Sequence, residues 1–126
     1  MLELRKCDRA SFFLAESLAA ARFGGRTWRE CCADVIATLP QTVYVSMDVD
    51  VLAPDCCPNT VRPVPGGLSF DEVAFLLGEI AASGRRIVGF DVTEVVPKLQ
   101  SGADALVGAR MLAKLCAASL KSAQNR

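Results

Sequence analysis

Apolar and polar positions change period along the chain, and each change predicts a new element. In residues 1–6, MLELRK, Leu2 and Leu4 alternate with charged neighbours, which predicts a short strand. Asp8 or Ser11 can cap a helix running to about Arg22, because Phe12, Ala15, Leu18 and Ala19 recur at helical spacing and Gly24-Gly25 then stops it. Thr27-Trp28-Arg29-Glu30 is a capping box that opens a short helix ending before Pro40, with Trp28 assigned to the core or to a subunit contact. Val43-Tyr44-Val45 begins a β-favouring run that delivers Asp48 and Asp50 where the strand should end.

The stretch from Leu52 to Gly67 has no periodicity and holds Pro54, Pro58, Pro63 and Pro65, four of the six prolines, so it reads as a stiff, extended binding loop. A second capping box, Ser69-Phe70-Asp71-Glu72, starts a helix with Phe70, Val73, Ala74, Leu77 and Ile80 on one face and a stop at Gly84. Arg86 to Phe90 predicts another buried strand, which runs into Asp91 and then Glu94, with Pro97 closing the turn. Ser101 to Asp104 can cap a last helix from Ala105 to about Lys121, burying Leu106, Ala109, Met111, Leu112, Leu115 and Cys116, while the final SAQNR frays. Strands alternating with helices imply an α/β fold, a parallel sheet with helices on its faces.

Composition narrows the chemistry. At 126 residues the chain is one domain or a piece of one. Fourteen basic and fourteen acidic residues cancel, which gives no signal for nucleic acid or an anionic membrane. No apolar run approaches the roughly 20 residues of a membrane span, and the charged opening is no secretory signal. Histidine is absent, which excludes a Ser-His-Asp triad, a Cys-His pair and an imidazole metal site built from this chain alone. The six cysteines, Cys7, Cys31, Cys32, Cys56, Cys57 and Cys116, form no C-x-x-C and read as reduced, mostly buried thiols of a cytoplasmic protein.

The acidic residues carry the remaining chemistry. Strand alternation puts Asp48 and Asp50 on one face, where they are either a solvated pair with one capping a turn, or ligands to a hard cation. Asp91 either accepts hydrogen bonds from loop amides or supports the metal ligands from behind. Glu94 is a surface turn residue, or a carboxylate facing a guanidinium or amidinium through two parallel hydrogen bonds. Arg62 is open between a salt bridge and an anion contact. Gly66-Gly67 serves backbone angles or close approach to the next helix, since no G-x-x-x-x-G-K pattern is present. In parallel α/β sheets ligands bind beyond the carboxyl ends of the strands, so Asp48, Asp50, Asp91 and Glu94 are expected along one edge.

VYVSMDVDVLAPDCCPNTVRPVPGGLSFDE resembles the S-x-D-x-D-x-x-D-P…P-G-x-G-T-P-x-x-G-G-L signature of the ureohydrolases, a family of arginases, agmatinases, guanidinobutyrases and formimidoylglutamases. GFDVTEVVP resembles the family's later D-x-x-E-x-x-P segment, LELRKCD an earlier strand and ALVGARMLAKL the closing helix. LSFDE and the Pro-Gly-Gly turn tilt the likeness toward agmatinase-like members. The resemblance implies a three-layer α/β/α fold with two Mn²⁺ ions between carboxylates and histidines. It also implies hydrolysis of a guanidino or amidino C–N bond in a small substrate such as agmatine or arginine. Asp48 resembles the aspartate bridging both metals, Asp50 the one chelating a single metal, and Glu94 the glutamate that orients the guanidinium.

The departures carry expectations of their own. The family's G-G-D-H and D-A-H-x-D motifs do not occur, so residues 1–126 are expected to be the carboxyl-terminal portion of a single ureohydrolase domain. Ala53 stands for the aspartate of D-P, and Asn59, Val61 and Arg62 stand for Gly, Gly and Thr. Weak metal binding by the isolated chain follows, as does association with itself or a complementary chain through uncovered apolar surface. Two other functions compete: a non-catalytic partner subunit of a complete paralogue, and a haloacid-dehalogenase-type phosphatase, whose D-x-D-x-[TV] motif DVDVL also resembles. The later lysine and paired acidic motif of that second class are missing.

Overall fold

The computed structural model describes residues 24–96 and 102–124. The expected amino-terminal strand and first helix, Cys7, Pro97 and the Ser101 cap lie outside them. The described elements run α1 (Trp28–Thr38), β1 (Thr42–Asp48), a 3₁₀ turn (Val49–Val51), α2 (Phe70–Ala82), β2 (Arg86–Thr93) and α3 (Ala103–Gln124).

Local sequence sets most helix starts. In α1 the Glu30 amide donates to Thr27 Oγ1 at 3.3 Å while the Thr27 amide donates back to Glu30 Oε2 at 2.7 Å. Ser69 and Glu72 make the same reciprocal pair at α2, at 3.1 and 2.8 Å. Each box satisfies two of the amides that a helix start leaves without partners. Trp28 is half-buried against the core, and its indole N–H donates to the Glu72 carbonyl at 3.0 Å.

β1 and β2 pair in parallel through the α2 crossover. Val43 lies beside Ile87 and Tyr44 beside Gly89, so Val88 is an extra residue in β2 and the register then runs on to Asp48 beside Thr93. Val43 and Met47 face inward with Ile87, while Tyr44, Ser46 and Asp48 share the outer face with Gly89, Asp91 and Thr93. The Tyr44 ring lies on Gly89, where an added Cβ would meet ring carbons at 2.7 Å. One core joins the inner face to Val73, Leu77, Ile80 and Ala81 of α2 and Met111, Leu115 and Ala118 of α3. This is an α/β fold with a parallel sheet, and among the described residues both helices of the core cover the same face. Tyr44, 61% exposed, and Val88, 55% exposed, stand on open surface.

Three expectations change. β2 continues through Asp91 to Thr93 instead of ending at Phe90. The 52–67 loop is not extended: Leu52 and Leu68 bridge its base, the Ala53 amide donates to the Leu68 carbonyl at 2.9 Å and the Leu68 amide to the Val51 carbonyl at 2.8 Å. The chain between them folds into turns over buried Cys57 and Thr60, an Ω-loop. Gly66 takes φ +76°, and a Cβ on Gly67 would sit 2.8 Å from the Val51 carbonyl oxygen, so the close approach is to the 3₁₀ turn and not to the next helix.

The third change is in α3, which buries Asp104, Gly108, Met111, Leu115, Ala118 and Ser122 and leaves Leu106, Ala109, Leu112 and Cys116 exposed. Apolar residues surround most of this helix, so polar anchors select its inner face. Ser122 Oγ accepts the Ile87 amide and Ser119 Oγ donates to the Ile87 carbonyl, both at 3.1 Å, which occupies a backbone edge of β2. That anchoring keeps the helix ordered to Gln124, past the expected fraying point.

Among the described cysteines all are free: Cys31, Cys32 and Cys57 buried, Cys56 half-buried, Cys116 exposed. Burial pushes the thiols of Cys32 and Cys57 up to about 11; for Cys57 the Asp104 and Asp50 carboxylates add to it. Such thiols are inert structural groups. No helix among the described residues is long and apolar enough to cross a membrane.

Candidate metal centre at the carboxyl rim of the sheet

Because β1 and β2 are parallel and end in register, their carboxyl ends form one rim. Asp48 is the last residue of β1 and lies beside Thr93, so Glu94 follows directly at the same edge. The register thus brings the acidic ends of two separate strands to one side of the fold.

The two aspartates are related by a turn and not by strand pleat. Alternation stops at Asp48, which becomes the N-cap of the 3₁₀ turn, and its Oδ1 accepts the Asp50 amide at 2.8 Å. The alternative of a turn-capping aspartate therefore holds for one oxygen of Asp48. Asp48 is exposed and Asp50 half-buried, and Asp50 Oδ1 is buried with no hydrogen-bond partner among the described residues. An orphaned carboxylate oxygen costs free energy unless a proton donor or cation reaches it.

Asp91 sits inside β2 on the outer face, where Ser46 Oγ donates to its Oδ1 at 2.8 Å from the facing strand position. The Tyr44 phenol is raised above its ordinary range, first by its hydrogen bond to Asp91, then by desolvation and the carboxylate's charge. Asp91 is therefore held by side chains of β1, not by loop amides. Glu94 is exposed and has φ +61°. It is the one non-glycine residue among those described with positive φ, a conformation that side chains other than Asn and Asp seldom adopt. Arg62 is exposed, and no ion pair joins it to a described residue.

Asp104 was expected only as a helix cap, yet its carboxylate is fully buried. It accepts the Asn59 amide at 2.8 Å and Asn59 Nδ2 at 3.2 Å, clasping the loop to the first turn of α3. A carboxylate there also faces the positive end of the helix dipole. The pairing spans 45 residues of sequence, and no local signal announces it.

Oxygen donors at a strand end suit a hard cation, and the partnerless Asp50 oxygen is available to one. The ligand count is short: no group of three or more His, Cys, Asp or Glu among the described residues could hold a metal ion. The fit is that of part of a site.

Comparison with known proteins bears on the same segment. The Arginase family model matches residues 4–117. The chain is 38% identical over 79 residues to the agmatinase of Pyrococcus horikoshii, covering 63% of this chain and 28% of that protein. It is 36% identical over 104 residues to the N(1)-aminopropylagmatine ureohydrolase of Thermus thermophilus, covering 80% and 35%. The solved structure of proclavaminate amidino hydrolase from Streptomyces clavuligerus superposes with a TM-score of 0.68 at 33% identity, over 82% of this chain and 34% of that one. The chain thus spans about a third of the length of these relatives. Given a family pattern over residues 4–117, the shared architecture and the acidic strand ends in register, the chain belongs to the arginase family.

Proposed function

We propose that this chain supplies the carboxyl-terminal portion of a ureohydrolase domain and, with it, part of a binuclear manganese site for hydrolysing a guanidino or amidino C–N bond. The observation that supports this most directly is the register that carries Asp48 and Glu94 to one rim. In this reading Asp48 and Asp50 hold metal, Glu94 orients the substrate's guanidinium or amidinium, and Asp91, fixed by Ser46, supports the rim from within β2. Manganese, when bound, supplies activation of water at neutral pH and electrostatic stabilisation of the developing charge. The chain's own part is to present carboxylate oxygens and to hold the substrate cation by the in-plane N–H donors along its edge.

The substrate class is a small guanidino or amidino compound. The relatives' names, agmatinase and N(1)-aminopropylagmatine ureohydrolase, favour agmatine or a derivative, whereas formimidoylglutamase and arginase relatives keep the wider class in view. A cytoplasmic setting accords with the free thiols.

Because the described carboxylates are too few to close a manganese site, calorimetric titration of the isolated 126-residue chain should show only weak manganese binding. Urea release from agmatine or arginine should be negligible. Stoichiometric binding of two ions per chain would overturn the assignment of a partial site. Co-expression with a histidine-bearing amino-terminal segment of the Thermus thermophilus relative should restore manganese-dependent urea release, and Asp50→Asn or Glu94→Gln should abolish it. Restored activity that survives both substitutions would remove these residues from the site. The alternative of a non-catalytic partner predicts instead that the chain co-purifies with a complete relative and leaves its activity intact.

A further inference from the structure

α3 carries two apolar stripes, and the fold uses one. Its buried stripe runs from Asp104 to Ser122. A second, Leu106, Ala109, Ala113, Cys116, Leu120 and Ala123, recurs at alternating spacings of three and four, the seam of a paired helix. All six residues are exposed, Leu106 at 58% and Leu120 at 69%, with Leu112 at 45% on one shoulder. A 22-residue helix with a continuous uncovered seam is a surface that water does not favour.

The order of large and small residues says what covers it. Lay a second copy of α3 antiparallel on the first so that Ala113 faces Cys116. Leu106 then faces Ala123 and Leu120 faces Ala109, a large side chain against a small one at every outer layer. Parallel pairing would stack leucine on leucine and alanine on alanine, leaving gaps between leucine layers that close packing does not tolerate. The antiparallel flanks also agree. In that register Leu112 lies opposite Ala117 and extends the apolar contact, Arg110 lies opposite Ser119, and no like charges oppose each other. The two helix dipoles run in opposition, which is favourable.

We propose that this seam is where a second copy of the same chain docks, by an antiparallel two-fold pairing of α3. The contact is independent of the chemistry at the strand rim, so its failure would leave the ureohydrolase reading untouched. It is isologous, each copy offering the same patch. One helix seam falls short of the roughly 800 Å² per partner of a standard stable interface, so the dimer should be reversible and micromolar.

Sedimentation velocity of the full chain from about 1 μM to about 200 μM, a range that brackets such an affinity, should show monomer passing into dimer. Leu120→Glu and Leu106→Glu, both at exposed positions and checked by circular dichroism, should each weaken dimerisation by about tenfold or more. Mild oxidation of Ala113→Cys should yield a covalent dimer through the facing Cys116, and adding Cys116→Ser should remove it. Four results would overturn the proposal: a monomer at every concentration, a dimer indifferent to Leu120→Glu, no covalent dimer from Ala113→Cys, or covalent linkage by Ala109→Cys in the Cys116→Ser background. The last would indicate parallel pairing.

Discussion

Glu94 occupies left-handed backbone space at φ +61°, and a side chain other than Gly, Asn or Asp held there costs about 1–2 kcal/mol. The residue is exposed, so no packing gain at its own side chain offsets that cost. Glu94→Gly should therefore raise the urea midpoint by the equivalent of about 1 kcal/mol with an unchanged slope, whereas Glu94→Ala should not, since alanine keeps the Cβ. A less stable glycine variant would show that the backbone there is unstrained. The same residue explains how far the site could be read from sequence. Acids after apolar strands, two residues or three apart, marked Asp48, Asp50, Asp91 and Glu94 and the end of the sheet they share. The relation between Asp48 and Asp50 was not legible, because a 3₁₀ turn at Val49–Val51 replaces one more step of pleat and depends on a single side-chain cap. Ser46 as the partner of Asp91 required the register, which a bulge at Val43/Tyr44 shifts by one residue.

At the scale of elements, the loop and the last helix are held by groups that have no sequence neighbours in common. Asp104 bonds both donors of Asn59 from a fully buried position, so the 52–67 loop is tied to α3 at its far side, while the Leu52–Leu68 bridge closes its base beside the 3₁₀ turn. Removing the acceptor leaves a half-buried amide and a carboxamide without partners. Asp104→Ala should cost about 1.5–3 kcal/mol, the range for hydrogen bonds to a charged group, and should speed amide exchange selectively around Asn59 and Thr60. Unchanged exchange there with lowered global stability would mean that the clasp does not hold the loop. Proline content made this stretch look stiff and extended. The bridge and the clasp fold it back instead, and neither is visible as a local pattern. Capping boxes by contrast are wholly local, which is why the starts of α1 and α2 matched their residues, while α3, apolar on nearly all sides, gave no hint of which stripe would turn inward.

For the molecule as a whole, one core beneath a two-stranded sheet joins β1, β2, α2, α3 and the loop, and it encloses Cys57 at 0% exposure. Cys32, at 1%, is buried on the inner side of α1. Their thiols stay protonated to about 11 against an ordinary 9.0, because ionising them would place charge in apolar surroundings. Unfolding frees each thiol to ionise from about pH 9 upward while the folded chain still holds its proton. The unfolded state then binds fewer protons, and stability falls with rising pH. The contribution of these groups is complete below pH 9 and is lost as pH climbs toward 11. Tyr44, whose phenol is also raised, adds a loss of the same sign above its ordinary 10.0. Thermal melts should therefore show a midpoint insensitive to these groups from pH 7 to 9 and a decline from 9 to 11. The Cys32→Ala/Cys57→Ala double variant should melt lower at pH 7, from the volume it loses, yet show a shallower alkaline decline, with Tyr44→Phe removing part of the remainder. A decline as steep in the double variant as in the parent chain would mean that the alkaline sensitivity of this fold resides elsewhere than in its enclosed thiols.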